Sequence, residues 1–408
     1  MVRRLKTVEL FLSVGLAASV AAGCTAPEQS ANGDRNSGVT VETLGGGGGE
    51  GDGGEGGEGS EGGEGGEGGP GFESLNWANT FADEAVITEF VDTVVIPNYK
   101  QFSDNTAALN QAIGAFVAEP TEQTLNAARQ AWTEARVSWE KTETFAFGPA
   151  GSLGFDGAMD SWPVNQTDIE NLLSGSEPIT PDRVAGLQDT ERGMHAIEYL
   201  LFGTAADKAL TDFTDREQSL LAALGTDLNA SANALLASWQ EGIDGQPAYK
   251  TVFASAGSDD NAVYPTTAAA AQELVSGIID SLTEVGEDKL AAPFAEQDVT
   301  GLESRFSAQT INDLKSNLQS AENGYLGALP DENLQASSSI STYVSAIDPA
   351  LDASVKEQFA AANRALGSVP TPLEDHLNDP AAAAEIEGAI AAILAVRTTL
   401  EEDVVPLI

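Results

Sequence analysis

Residues 121–146 read TEQTLNAARQAWTEARVSWEKTETFA, and this stretch is the clearest guide to the fold. Thr121 suits a helix N-cap, because its side-chain oxygen can accept a hydrogen bond from a backbone N–H in the first turn. Apolar side chains then return every three or four residues, at Leu125, Ala128, Trp132, Ala135, Trp139 and Ala146. That spacing predicts an amphipathic helix with one buried stripe.

Similar periodic segments fill the chain from Leu75 to its end, separated by short breaks rich in glycine, proline and aspartate. We predict further helices at 79–101, 104–118, 183–202, 215–241, 266–286, 308–323, 351–366 and 382–402. No segment alternates apolar and polar residues with period two, so the predicted fold class is all-α. Two longer irregular stretches, 148–180 and 287–307, are expected to be functional loops.

The helical domain is predicted to span residues 75–408 and to consist of two packed helical bundles. The break from 242 to 262, which contains Gly-Gln-Pro at 245–247, is the best candidate for a boundary. The bundles would then cover approximately 75–244 and 245–408.

The N-terminus has the character of an export signal. A basic start containing Arg3 and Arg4 precedes an apolar run from Leu10 to Ala22, which is followed by Gly23 and Cys24. The run is shorter than the roughly 20 residues that a membrane-spanning helix needs. Small residues before a cleavage point are typical of signal peptides. We predict a lipoprotein signal peptide over 1–23 and lipidation of Cys24; the alternative is an ordinary secretory cut that leaves a free thiol.

Residues 24–74 contain almost nothing to bury, and glutamates recur every third residue between 55 and 67 among glycines. We predict a disordered Gly/Glu-rich tether, stretched by self-repulsion, with a reach of roughly 40 Å. The protein is therefore expected to be exported and lipid-anchored to the cell envelope, at the outer membrane or the periplasmic face, with the cell surface as a further location. The membrane would be a partner through this anchor.

The chain is strongly acidic, with 63 acidic against 19 basic residues and a formal net charge of -44. Such a surface repels phosphate backbones, so nucleic acid is excluded as a partner. It would instead concentrate cations near the protein. The alternative interpretation is that the acidity only keeps the protein soluble.

The histidine count limits the chemistry that the chain can carry. Its two histidines are His195 and His376, which rules out a zinc site of the HExxH type. His195 and Glu198 are three residues apart in GMHAIE, so on a helix they share a face. An imidazole and a carboxylate beside a buried stripe indicate half of a metal site. The alternative is a salt-bridged core histidine.

Further carboxylates could complete that site. Glu143 should point partly inward from the 121–146 helix, whereas Glu140 is expected in solvent. Asp156 and Asp160, which precede Trp-Pro at 162–163, could supply further oxygen ligands. The structural alternative for Glu143 is an ion pair with Arg136.

Five segments together resemble the imelysin family. Residues 193–203, GMHAIEYLLFG, are similar to its GxHxxE signature; the other matching segments are TETFAFGP at 142–149, SWP at 161–163, ESRFS at 303–307 and NGYLG at 323–327. The match covers about 75–408 in the family's order. One departure is Ala146, which replaces a frequent arginine.

The resemblance implies two packed helical bundles on an exported lipoprotein. It implies a metal site centred on His195 and Glu198, joined by Glu143 and by an acid from the 156–160 stretch. Gly193 belongs to the motif, and Ser304 and Arg305 are expected to line the same cleft.

Three functions follow from the motifs and the resemblance. The first is iron binding or uptake at the cell envelope, with a metal ion as cofactor, iron being favoured and zinc the alternative. An iron-uptake protein of the envelope would then be the partner. The second is a metallopeptidase of the imelysin type, for which His195, Glu198 and Glu143 could hold zinc. The third is a surface interaction module whose site is inert.

Overall fold

The computed structural model describes residues 75–408, so the predicted signal peptide, Cys24 and the tether to residue 74 lie outside the described residues. The helices have the following bounds: α1 Glu84–Phe90, α2 Ile96–Ala118, α3 Glu122–Glu140, α4 Pro149–Ser152, α5 Phe155–Asp160, α6 Gln166–Ser174, α7 Pro181–Val184, α8 Gly193–Phe202, α9 Asp215–Gln240, α10 Tyr249–Ala254, α11 Thr267–Thr283, α12 Ala292–Glu296, α13 Thr310–Leu326, α14 Ile340–Ile347, α15 Pro349–Ser368, α16 Leu373–His376 and α17 Ala383–Thr399. Strands β1 (Ala328–Leu329) and β2 (Leu334–Gln335) form a small antiparallel pair. The all-α prediction is confirmed.

Helix α3 forms largely as its sequence indicates. The Thr121 hydroxyl accepts a hydrogen bond from the Thr124 N–H at 3.2 Å, and the Thr124 hydroxyl accepts one from the Thr121 N–H at 3.0 Å. The predicted stripe from Leu125 to Trp139 is buried. The helix ends at Glu140, however, and not at 146. Both the N–H and the hydroxyl of Thr142 bind the Trp139 carbonyl at 2.7 Å, which turns the chain out of the helix.

Three other boundary predictions were wrong. The predicted break between helices 79–101 and 104–118 does not occur: Phe102 and Ser103 are buried within α2. A π-helical turn at Val91–Val95 joins α1 to α2, so that residues 84–118 are helical throughout. The predicted 183–202 helix is interrupted, and α8 begins only at Gly193, where φ is +77°. The stretches 148–180 and 287–307 contain short helices, and 287–307 is entered through a π-helical segment at Glu284–Ala291.

Helices pack in neighbouring pairs: α2 against both α3 and α9, α11 against α13, and α15 against α17. Helix α13 also packs on α3, so helices from both sides of the predicted boundary touch. The turn Glu143–Phe145 fits between α11 and α13 because Gly277 and Gly324 leave room for it. A Cβ on Gly277 would lie 2.0 Å from the Thr144 carbonyl oxygen. The division into two bundles stays a prediction.

Every helix in the range 75–408 falls short of the combined length and apolarity that crossing a bilayer requires. The largest buried side chains include Trp132, Trp139 and Trp239. Trp132 donates its indole N–H to the Met194 carbonyl at 2.9 Å, which ties α3 to the first turn of α8. The core therefore fixes the position of the segment that carries His195.

Candidate metal centre

Arg136 lies at the middle of a buried cluster of acids. Its side chain is 1% exposed, and its guanidinium is 2.5 Å from Glu140 Oε1, 3.0 Å from Glu303 Oε1 and 3.5 Å from Asp313 Oδ2. It also makes a short ion pair with Asp160. A buried charge must be paired, and the planar guanidinium can contact several carboxylates at once. Arg136 therefore joins α3, α5, α13 and the loop that carries Glu303.

Gly193 sets the contact between α5 and α8. Its φ is +77°, and a Cβ there would lie 2.4 Å from the Met159 carbonyl oxygen. Only glycine allows both this backbone conformation and this approach. The close contact places His195 beside Asp160, the residue after Met159, with His195 Nε2 at 3.3 Å from Asp160 Oδ1.

Glu198 holds the imidazole of His195. Its Oε2 lies 3.0 Å from His195 Nδ1, while its Oε1 accepts hydrogen bonds from the Ser307 N–H at 2.8 Å and hydroxyl at 2.7 Å. Trp162 packs on the ring, with 4.8 Å between centroids. A carboxylate on one ring nitrogen orients the other nitrogen, as it does behind metal-binding histidines. Glu198 is thus placed to orient His195.

One atom each from Asp160, His195 and Glu303 lie within 4.8 Å of one another. We call these three residues the inner triad. His195 Nε2 and Glu303 Oε2 have no hydrogen-bond partner. An imidazole and two carboxylates form a donor set that suits iron, zinc or manganese. The residues therefore fit a metal ion, which would share the two carboxylates with Arg136. One carboxylate oxygen each of Glu140, Glu303 and Asp313 also lie within 4.8 Å of one another and form a second such group.

Glu143 and Asp156 belong to a neighbouring cluster of acids. Glu143 Oε2 lies 3.4 Å from Asn317 Nδ2 and 3.8 Å from Lys289 Nζ, and Glu143 is not one of the inner triad. Asp156 is a turn before Asp160 on α5, and its charge interacts with that of Glu143. The structure brings His195, Glu198 and Asp160 together and leaves Glu143 and Asp156 beside them.

Two expectations about α3 were wrong. Glu140 was expected in solvent but is fully buried, because α13 covers it and Asn317 Nδ2 donates to Glu140 Oε2 at 2.6 Å. The alternative ion pair between Arg136 and Glu143 does not form. Since α3 ends at Glu140, the chain carries Glu143 away from the guanidinium.

The raised pKa values of several buried acids indicate that the cluster holds more carboxylates than its cations can compensate. Burial raises the pKa of Glu140 and of Glu143 to about 8 and that of Asp156 to about 7. Burial also disfavours the charged form of Asp160, but Arg136 and His195 outweigh it and hold its pKa well below the usual range. Burial and the Arg136 charge oppose protonation of His195, yet contacts with Asp160 and Glu198 raise its pKa to about 9. A bound cation would relieve this excess.

Sequence reasoning missed Glu303, Asp313 and Lys289. Glu303 opens the ESRFS segment and could have been found from that motif, whereas the other two lie on α13 and the π-helical segment without a local signal. Ser304 is buried next to Glu303. The Arg305 guanidinium lies over the rings of Trp162 at 5.6 Å and Phe306 at 4.3 Å, beside the ring that packs on His195.

Comparisons with known proteins bear on the whole described domain. The sequence profile of the family described as Imelysin matches residues 95–400, well over half of the chain. The chain is 39% identical over 337 residues to iron-regulated protein A of Synechococcus elongatus, an alignment that covers 83% of this chain and 90% of that protein.

Two solved structures share the fold. One, from Parabacteroides distasonis and named for an iron-regulated protein A precursor, has a TM-score of 0.70 at 24% identity and covers 82% of this chain and 98% of its own. The other, an imelysin-like protein from Psychrobacter arcticum, has a TM-score of 0.61 at 14% identity and covers 78% and 93%. At these identities the likeness concerns the arrangement of the helices.

Proposed function

This chain belongs to the imelysin family, and on that premise we propose that it is a cell-envelope lipoprotein that binds a metal ion, iron in particular, and acts in iron binding or uptake. One observation carries the proposal: one atom each of His195, Asp160 and Glu303 lie within 4.8 Å of one another, and the buried Nε2 of His195 makes no hydrogen bond although Asp160 Oδ1 is 3.3 Å away. A cation that displaces the proton of the His195 ring would bond to this nitrogen and to both carboxylates.

The residues of the site would have different roles in metal binding. His195, Asp160 and Glu303 would hold the ion directly. Glu198 and Ser307 would fix the His195 ring, since Glu198 Oε2 occupies the Nδ1 side of the imidazole and Glu198 Oε1 accepts two hydrogen bonds from Ser307. Arg136 contacts Asp160 Oδ1 and Glu303 Oε1, and its charge would limit the mutual repulsion of these carboxylates. This division differs from the sequence-based hypothesis, in which Glu198 and Glu143 were direct ligands.

Iron is the favoured metal and zinc the alternative. Two carboxylates with one imidazole suit iron, because oxygen and nitrogen ligands of this kind occur in its non-haem sites. The relative from Synechococcus elongatus is named as an iron-regulated protein. Zinc accepts the same ligands, so only titration separates the two metals.

The chain's second histidine provides a matched control. His376 lies on α16, with its Nδ1 3.8 Å from Asp379. The metal-free full chain is titrated with Fe²⁺ without oxygen, and separately with Zn²⁺, as wild type, His195→Ala and His376→Ala. We expect His376→Ala to bind like wild type and His195→Ala to bind at least about tenfold more weakly. Equal binding by all three proteins would refute the metal centre.

Attachment at the envelope rests on Cys24 and the tether that follows it. A lipid at Cys24 would hold the helical domain near the membrane, where it could pass iron to an uptake protein of the envelope. In cells fed labelled palmitate, the wild-type chain should carry label and sediment with membranes, and Cys24→Ser should do neither. Label in the Cys24→Ser protein would contradict the assignment.

A further inference from the structure

Lys289 occupies an unusual position among four acids. It lies on the π-helical segment Glu284–Ala291, with its side chain 15% exposed. Its Nζ is surrounded at similar distances: 3.3 Å to Glu303, 3.7 Å to Glu284, 3.8 Å to Glu143 and 3.9 Å to Glu140. We call these four acids the outer ring.

The distances set Lys289 apart from ordinary lysine ion pairs in the same protein. Lys208 Nζ is 2.6 Å from a single carboxylate, that of Glu217, and Lys356 Nζ is 2.8 Å from Asp352. The Lys289 ammonium makes no such tight pair. It lies at similar distances from four carboxylates, so that its charge interacts with all of them.

The outer ring places four carboxylates slightly beyond metal-bonding distance of one central position. Direct metal–carboxylate bonds are about 2.0–2.6 Å long. The present separations of 3.3–3.9 Å from the central position would therefore have to shorten by about 1–1.5 Å for an ion there to bind these carboxylates directly. A single ammonium also compensates four acids poorly, whereas a divalent ion would do so better.

Glu303 connects the outer ring to the inner triad. Its Oε1 lies 3.3 Å from Lys289 and 3.0 Å from Arg136, and the residue also contributes to the group with Asp160 and His195. Its Oε2 has no hydrogen-bond partner although the residue is only 6% exposed. Side-chain exposure falls from 38% at Glu284 through 17% at Glu143 to 8% at Glu303. The outer ring is thus partly open to solvent at Glu284 and nearly closed at Glu303.

We propose that the Lys289 ammonium occupies an outer cation site, and that a divalent metal ion displaces it there on the way to the inner triad. The inference rests on the proposed function, because the triad is the destination. Lys289 then acts as a plug: its positive charge offsets the repulsion among the four acids in the folded protein, and its side chain slows the access of ions to the inner triad. The outer ring would hold an ion of its own once the plug is removed.

Lys289→Ala tests the plug, and Lys208→Ala is the matched control because it removes an equally buried lysine with one acidic partner. Mn²⁺ alone serves as the probe, since its free concentration and binding rate can be followed by electron paramagnetic resonance and stopped flow. We expect one bound equivalent in wild type and Lys208→Ala. Lys289→Ala should bind two equivalents, with association at least about tenfold faster.

The outcomes separate the two proposals. If Lys289→Ala binds one equivalent at the wild-type rate, the proposed plug is wrong. If His195→Ala loses binding in the same experiments, the proposed metal centre still stands. Absence of Mn²⁺ and Fe²⁺ binding in wild type overturns both. Lys289→Arg, which keeps the charge, should bind one equivalent at least about tenfold more slowly, because a guanidinium with several hydrogen bonds is harder to displace. An unchanged or faster rate in Lys289→Arg also overturns the plug.

Discussion

Gly193 and Met159 touch through their backbones, and this contact decides where His195 lies. A Cβ at position 193 would come within 2.4 Å of the Met159 carbonyl oxygen and within 3.0 Å of that of Ala158. Both contacting residues lie close in sequence to members of the inner triad. Asp160 follows Met159 directly, and His195 is two residues after Gly193. The glycine of the motif is therefore a packing requirement of the metal centre.

Gly193→Ala should lower the free energy of unfolding by about 2–4 kcal/mol, because alanine disfavours positive φ and its methyl group would overlap the carbonyl. Urea unfolding measures the change. Gly388→Ala is the control, since a Cβ there meets nothing within 4 Å in the middle of α17. That substitution should stabilise the protein by about 0.5–1 kcal/mol. Loss of stability only in Gly388→Ala would contradict the packing argument.

Arg136→Met should destabilise the metal-free protein by about 3–5 kcal/mol, because it leaves the buried acids around it without their cation. Thermal or urea unfolding in the presence of a chelator measures this. Arg364→Met, which breaks an exposed ion pair with Glu357, should change stability by less than about 1 kcal/mol. Similar losses in the two variants would show that the buried cluster does not depend on Arg136.

Ser307→Ala should weaken Fe²⁺ binding by about tenfold or more, since Glu198 loses one of the hydrogen bonds that fix it behind His195. The removal of a hydrogen bond to a buried carboxylate should also cost about 1.5–3 kcal/mol of stability. Ser219→Ala is the control, because that exposed hydroxyl bonds only the Asp215 carbonyl of its own helix. A Ser307→Ala protein with wild-type affinity would mean that Glu198 does not position the imidazole.

Stability of the metal-free protein should fall as the pH rises from 6 to 9. Burial raises the pKa of Glu140 to about 8, far above about 4.3 in the unfolded chain, so its contribution is complete at low pH and is lost as the pH climbs towards 8. His195, with a folded pKa of about 9 against about 6.5 unfolded, contributes below pH 6.5 and loses that contribution towards pH 9. The low pKa of Asp160 acts only below about pH 4.

Urea unfolding at pH 6 and pH 9 with a chelator measures this dependence. The Glu140→Gln protein should show a smaller fall, because glutamine cannot lose a proton. A steeper fall in Glu140→Gln than in wild type would contradict the assignment of the titration to this carboxyl group.

Short-range patterns in the sequence predicted a good part of the site. The spacing of His195 and Glu198 placed their side chains on one helical face, and the two groups are 3.0 Å apart. The apolar stripe of α3 predicted its buried side correctly. The five family segments predicted the fold, and the imelysin match confirms that resemblance.

Prediction failed where a helix end or a loop path decides the direction of a side chain. Glu143 was expected on α3, but Thr142 ends the helix before it, so Glu143 joins the outer ring instead. Glu303 is 108 positions after His195, and no periodicity relates them.

The sequence by itself determined the helical class, the family, the buried face of α3 and the local pair of His195 with Glu198, because helical periodicity fixes neighbours three or four residues apart. Only the tertiary structure decided that Asp160 and Glu303 complete the triad, that Arg136 bridges its acids and that Lys289 lies within the outer ring. Those contacts depend on how loops close and where helices cross, which the summed packing of the whole domain sets.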